Sequence, residues 1–181
     1  SKKAGDNFRI NRILVAYSIL YGAENDYENS IKTMLELIPR LEMEKDGDLL
    51  RTVYGNLGST YLYIHNYQLA EKYYQLCAEA SIKVKDEWRL SQSYNGLIDI
   101  YLEKKDYKTA LEYANKGLEV AEHGGDFECQ ALTNQKKSEI YNTYFNDFDK
   151  SLEYGLKGLD IARNHSNISV VAAALINLSN I

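Results

Sequence analysis

A shift of 40 residues brings Tyr21, Tyr61, Tyr101 and Tyr141 into register, and a repeat of that length constrains the fold more than any other feature of the chain. The same shift superimposes Tyr27, Tyr67 and Tyr107, and then Phe148 after a single-residue insertion between Tyr141 and Phe148. Three residues after each of these aromatics stands a small side chain, Ser30, Ala70, Ala110 or Ser151, at the spacing of neighbours on one helix face. Directly before each aromatic stands Asp26, Asn66, Asp106 or Asp147, whose side chain can accept a hydrogen bond from the open amides of a first helical turn. Asp46, Asp86 and Asp126 mark helix starts in the same way ahead of Tyr61, Tyr101 and Tyr141.

Between these starts the apolar residues keep helical spacing, as in Tyr54, Leu57, Tyr61 and again in Tyr67, Ala70, Tyr74, Cys77, and no alternating strand pattern occurs. The chain is therefore predicted to be all-α, with helices near residues 8–23, 27–44, 48–64, 67–85, 87–104, 107–123, 126–144, 148–165 and 168–181. These pair into hairpin units over 8–47, 48–86, 87–126 and 127–167, and 168–181 supplies the first helix of a fifth unit. Pro39, the single proline, removes a backbone donor inside the second helix and is expected to kink or shorten it. One amphipathic hairpin cannot cover its own apolar face, so units of this kind must stack.

The second unit resembles the tetratricopeptide repeat (TPR) family: Tyr54, Leu57, Gly58, Tyr61, Tyr67, Ala70, Tyr74 and Cys77 fill the family's aromatic, Leu, Gly, Tyr and then small and aromatic places in turn. The third matches with Tyr94, Leu97, Ile98, Tyr101, Tyr107, Ala110, Ala114 and Gly117, where a bulky Ile98 replaces the Gly that allows close approach. In the fourth, Asn134 and Lys137 interrupt apolar positions while Tyr141, Ser151 and Gly158 hold. The first keeps mainly Tyr17, Tyr21, Tyr27, Ser30 and Leu37. The resemblance implies a TPR-like solenoid, an α-α superhelix of antiparallel hairpins. Its units exceed the common length of about 34 residues and are similar to the long repeats of kinesin light chains, Leu-Gly-Asn adaptors and bacterial TPR regulators.

The resemblance also places function on a concave face built by the first helices of the units. That face holds Asn56, Ser59 and Tyr63, then Gln92, Asn95, Asp99 and Glu103, then Gln135, Lys136 and Glu139. It implies a binding scaffold for a protein or peptide ligand within a signalling or regulatory protein. The alternative is the sensory input domain of a bacterial transcription regulator or histidine kinase, transmitting peptide binding to an attached effector domain. The amides of Asn56, Asn95 and Gln135 suit a peptide backbone, and Asp99, Glu103 and Glu139 favour a basic ligand. The family's clamp for a C-terminal carboxylate is absent, its places holding Val15, Ile19, Asn56, Gln92 and Gly96.

No enzyme, cofactor or metal site is expected. His65, His123 and His165 have no partners at metal-ligand spacing, Cys77 and Cys129 have no His beside them, and Gly124 with Gly125 ends a helix instead of cradling phosphate. The 26 acidic and 21 basic residues are mixed along the chain for a net charge of −5, which leaves no basic block for nucleic acid or an anionic membrane. No apolar run approaches the ~20 residues that span a bilayer. With two cysteines and no disulfide framework, a reducing, cytoplasmic compartment is the default. The chain starts without Met and stops inside an apolar stretch, so it reads as part of a longer protein. Ala172, Ala173, Ala174, Leu175, Ile176, Leu178 and Ile181 then form a first helix without its partner, and self-association through this exposed C-terminal helix is expected. Sedimentation should show concentration-dependent dimers that dissolve when the following residues are added; a strictly monomeric chain, indifferent to that addition, would contradict the expectation.

Overall fold

A computed structural model describes residues 2–165 and 168–179, with residues 2–6 and 177 described as backbone only. It divides into two compact units, Ser1–Val84 and Lys85–Ile181. The first contains α1 (Lys2–Ala23), α2 (Tyr27–Glu44), α3 (Gly47–Tyr63) and α4 (Tyr67–Val84). The second contains α5 (Glu87–Glu103), α6 (Tyr107–Gly124), α7 (Phe127–Ile140) with a π-helical turn over Tyr141–Phe145, α8 (Phe148–Asn164) and α9 (Ile168–Leu178). Among the described residues there is no strand. In the first unit α1 packs on α2 and α3 on α4; in the second α5 packs on α6, α7 on α8, and α9 against both α7 and α8.

The helices are joined by turns of one repeated design. The residue before each capping Asp or Asn has positive φ: Asn25, Lys45, His65, Lys85, Lys105, Gly125 and Asn146 lie between 50° and 67°. A left-handed residue there lets the amide of the next residue reach back to the carbonyl five positions earlier, the longer bond of a Schellman motif. Asp26 N thus donates to Tyr21 O, Asn66 N to Tyr61 O and Asp106 N to Tyr101 O, all at 2.8 Å. The side chain of the same residue then caps the following helix, Asp26 Oδ1 accepting from Asn29 N at 3.2 Å and Asp46 Oδ1 from Leu49 N at 3.1 Å. One residue therefore ends one helix and begins the next.

The Tyr ladder is a set of stacked pairs inside the hairpins. Tyr61 stacks on Tyr73 at 5.6 Å and 6°, Tyr101 on Tyr113 at 5.5 Å and 13°, and Tyr141 on Tyr154 at 5.3 Å and 10°. Tyr17 departs from this pattern, being 53% exposed.

The inserted residue of the fourth hairpin is absorbed by the π-helical turn. There Asn146 N bonds Tyr141 O, five positions back, and Asp147 N reaches the same carbonyl, six positions back, one farther than Asp26, Asn66 and Asp106 reach. A single extra residue in a helix is accommodated in this way by widening one turn. The turn ends α7 at Ile140, where the sequence predicts a helix to 144.

Pro39 does not shorten α2, which has 18 residues, the same as α4 and α6. The carbonyl that Pro39 leaves unpaired belongs to Leu35, and both residues lie on the exposed side, where water can satisfy it. α1 starts before the expected residue 8, and the predicted positions 180 and 181 lie outside the described residues.

Two glycines of α3 differ in what surrounds them. A Cβ on Gly58 would meet the Tyr74 ring at 2.8–3.0 Å, whereas one on Gly55 would find its nearest neighbour, Cys77 Sγ, at an ordinary 3.7 Å. Gly55→Ala should therefore stabilise the fold by about 0.5–1 kcal/mol through helix propensity, while Gly58→Ala should lose about 1–3 kcal/mol by overpacking. Tyr61→Ala should cost about 3–5 kcal/mol. Urea unfolding of the three variants checks the order, and a Gly58→Ala protein as stable as Gly55→Ala would refute the close approach.

Candidate functional site

In the first unit α3 carries Asn56, Ser59 and Tyr63. Ser59 Oγ lies 2.9 Å from the Tyr74 hydroxyl, and the exposed Tyr63 ring sits 4.9 Å from that of Tyr27. The Asn56 amide nitrogen is buried and has no hydrogen-bond partner among the described residues. These three residues share a face but form no enclosed site.

In the second unit α5 presents Gln92, Asn95, Asp99 and Glu103 at helical spacing along one face. Asp99 and Asn95 meet Lys136 of α7, whose ammonium donates to Asp99 Oδ1 at 2.7 Å, to Asn95 Oδ1 at 2.8 Å and to the Asn95 carbonyl at 3.1 Å. An ammonium has three donors, so these acceptors saturate it. Asn95 is buried and its amide nitrogen lies 2.9 Å from Cys129 Sγ. Gln92 Nε2 donates to Asp126 at 3.2 Å and the buried Gln135 donates to Val170 O at 3.0 Å. The amides of Asn95 and Gln135, expected to serve a ligand's backbone, are thus engaged inside the protein, and a ligand would have to displace those bonds.

The support beneath this face is polar. α7 buries Gln130, Thr133, Asn134, Gln135, Lys137 and Ser138, and its side chains bond each helix around it. Gln130 Nε2 donates to Ala121 O of α6 at 2.9 Å, and Ser138 Oγ to Ser151 O of α8 at 2.7 Å. Lys137 lies 4.1 Å from the Tyr154 ring centre and donates to Asn115 Oδ1 at 3.0 Å. Burial lowers its pKa, with Lys157 adding to the effect. Asn134 and Lys137 therefore hold the core position that the sequence pattern reads as an interruption.

Beside Lys136, between α7 and α9, opens a cleft of about 500 Å³ lined by Leu132, Gln135, Lys136, Glu139, Asn142, Thr143, Ala173 and Ile176. Leu132, Ala173 and Ile176 give it an apolar floor, and Glu139 stands at its edge. Two of the lining residues, Asn142 and Thr143, come from the π-helical turn, and Thr143 Oγ1 donates to Glu139 O at 2.7 Å. The sequence places Gln135, Lys136 and Glu139 on this face and marks Ala173 and Ile176 only as an exposed apolar helix face; it misses Leu132, Asn142 and Thr143, the last two signalled by the insertion before Phe148 alone.

Glu139 is the electrostatically unfavourable member. Its pKa is raised by desolvation first and then by Asp99 and Glu103, with Lys136 opposing. Cys129, fully buried on the other side of Asn95, has its thiol pushed up to about 11, mainly by burial. Among the described residues no group of three or more His, Cys, Asp and Glu could hold a metal ion, and no helix is long and apolar enough to cross a membrane.

Residues 52–81 and 91–123 match the family model described as "Tetratricopeptide repeat". These two stretches carry the tetratricopeptide repeat pattern. Solved structures agree on an all-α, TPR-like helical-repeat fold. Aspartyl phosphate phosphatase F from Bacillus subtilis superimposes with a TM-score of 0.88 at 13% identity, over 94% of this chain and 45% of that one. BtubC (BKLC) from P. vanneervenii gives 0.81 at 19% identity, over 96% and 73%. The apo form of RapI gives 0.64 at 16% identity, over 98% and 76%. The chain thus spans less than half the length of phosphatase F and about three quarters of the other two. At these identities the likeness is one of fold. No curated protein matches the chain in sequence.

A carboxylate whose folded-state pKa is raised makes the fold less stable as pH rises from its unfolded value through its folded value. Glu139→Gln should therefore raise the melting temperature at neutral pH, and the gain should vanish in acid below the ordinary carboxylate range. A gain that is equal at both pH values, or a loss at neutral pH, would show that Glu139 is not strained. Cys77 and Cys129 are both buried, so a thiol reagent should modify them only as fast as the protein opens. Modification at the rate of a free peptide thiol would contradict this.

Proposed function

We propose that this chain is a non-catalytic scaffold that binds a protein or peptide, and that the first-helix face of its second unit takes a basic segment of that partner. The observation that carries the reading is the acidic edge around Lys136. One ammonium, already saturated, stands among Asp99, Glu103 and Glu139, and desolvation together with Asp99 and Glu103 raises the Glu139 pKa. A carboxylate kept in an unfavourable field is better accounted for by a partner's cation than by the fold itself. The matched TPR repeats support the same reading, since arrays of stacked hairpins use extended faces for binding. The word phosphatase in the name of one structural neighbour belongs to that protein. The hairpin limits 8–47, 48–86, 87–126 and 127–167, the first-helix face of Asn56, Ser59 and Tyr63 in the other unit, and a place in a signalling or regulatory system belong to the same proposal.

The test compares the wild-type chain with an Asp99→Asn, Glu103→Gln variant, in which helix propensity and side-chain size are kept. Partners recovered from native extract should bind the variant about tenfold more weakly, the effect of one or two lost charge pairs, while the helical circular dichroism stays the same. Equal affinity of both proteins for the same partners would remove the reading.

A further inference from the structure

The cleft between α7 and α9 has three properties that act together. Its floor is apolar and shallow: Ala173 and Ile176 are exposed, Ile176 at 65%, and Leu132 is half-buried. Its edge carries Glu139, whose carboxylate makes no ion pair among the described residues, because Lys136 is committed to Asp99 and Asn95. Its far rim is made by the π-helical turn, which takes up the residue inserted before Phe148 and carries Asn142 and Thr143 to the cleft. π-Helical turns of this kind occur disproportionately at functional sites.

Resting on the proposed scaffold function, we infer that this cleft is the anchor subsite for a lysine or arginine of the bound polypeptide, its stem lying on Leu132, Ala173 and Ile176 and its cationic head meeting Glu139. Long basic side chains bury their methylene stems along apolar surface while the head stays at a polar edge, which is the pairing this cleft offers. An acidic side chain would meet Glu139, Asp99 and Glu103 instead, and a purely aliphatic one would leave Glu139 covered without a counter-charge. Gln135, Asn142 and Thr143 line the same space and make it polar around the anchor, Gln135 and Thr143 being held by their bonds to Val170 O and Glu139 O. The apolar floor belongs to α9 as much as to α7, so the subsite exists only when the two helices are docked, as they are here through Gln135 and Val170 O.

The probe is a short capped peptide in which Arg alternates with Leu, measured by fluorescence anisotropy beside two matched peptides with norleucine or Glu in place of Arg. The Arg peptide should bind, shift the side-chain amide resonances of Gln135 and Asn142, and lose about tenfold in affinity with Glu139→Gln and again with Ile176→Asp. Both positions are exposed, and a cooperative melt, at or above the wild-type temperature for Glu139→Gln, will show that the variants fold. If the Arg peptide binds but neither variant weakens it, or if the shifted resonances lie elsewhere, the anchor is refuted while the scaffold reading stands. If none of the three peptides binds while the Asp99→Asn, Glu103→Gln comparison still separates native partners, the anchor is again refuted and the scaffold retained. Loss of both results removes both.

Discussion

The architecture depends on a turn in which a single aspartate or asparagine closes one helix and opens the next. Its backbone amide reaches back to a ladder Tyr carbonyl, and its side chain accepts from an amide in the first turn ahead. Both bonds require the preceding residue to adopt positive φ, and at most of these turns that residue is not glycine. A left-handed non-glycine residue costs roughly 1–2 kcal/mol, and a cap contributes about 1 kcal/mol. The turn is thus near balance by itself and is decided by what it positions. What it positions is two helices with so short a connection that they must lie antiparallel, with Tyr61 over Tyr73 and Tyr101 over Tyr113. The stacked rings supply the burial, and the turn supplies the register in which they meet.

That division explains how the fourth hairpin tolerates an additional residue. The ring pair Tyr141 and Tyr154 keeps the geometry of its counterparts, and the cap at Asp147 still accepts from Lys150 N at 3.1 Å. Since both ends are held, the extra residue can only widen the helix between them. The π-helical turn also sets Tyr144 onto Tyr107 at 5.2 Å, as Tyr63 is set onto Tyr27 at 4.9 Å in the first unit. The insertion therefore leaves the aromatic contacts in place and changes only what lies on the face between them, which is where Asn142 and Thr143 enter the cleft.

Much of this was legible in the residues. Capping aspartates, the Tyr ladder, the small partners and the insertion are all local signals whose spacing survives in sequence, so the helices and their pairing could be read directly. The left-handed Lys45 and Lys105 could not, because lysine carries no preference for that conformation and takes it only when the bonds around it demand it. Pro39 misled because a helix breaker acts through a carbonyl whose exposure the sequence does not show. Asn134 and Lys137 misled in the opposite direction. They look like surface residues, yet Lys137 meets Asn115 and the Tyr154 ring, neighbours only in the fold, while Asn134 is buried, donates to Gln130 O one turn back and leaves its Oδ1 without a partner among the described residues. Of the candidate site, the charged face of α5 and α7 was visible as a helical stripe, while the contribution of α9 was not.

The polar core of α7 also bears on why the candidate site sits where it does. An apolar helix can slide or rotate against its neighbours at small cost, since dispersion contacts are non-directional. Hydrogen bonds to α5, α6, α8 and α9 allow one placement, because each buried donor or acceptor left unmade costs about 1–3 kcal/mol. α7 is thereby fixed in rotation and in height, and so are Lys136 and Glu139, which leave the same helix on the side of the cleft. Lys136 then holds Asp99 of α5 in place, and Gln135 holds α9. Glu139, exposed on that locked helix with Asp99 and Glu103 in its field, keeps a fixed place from which a cation brought from outside would relieve their repulsion.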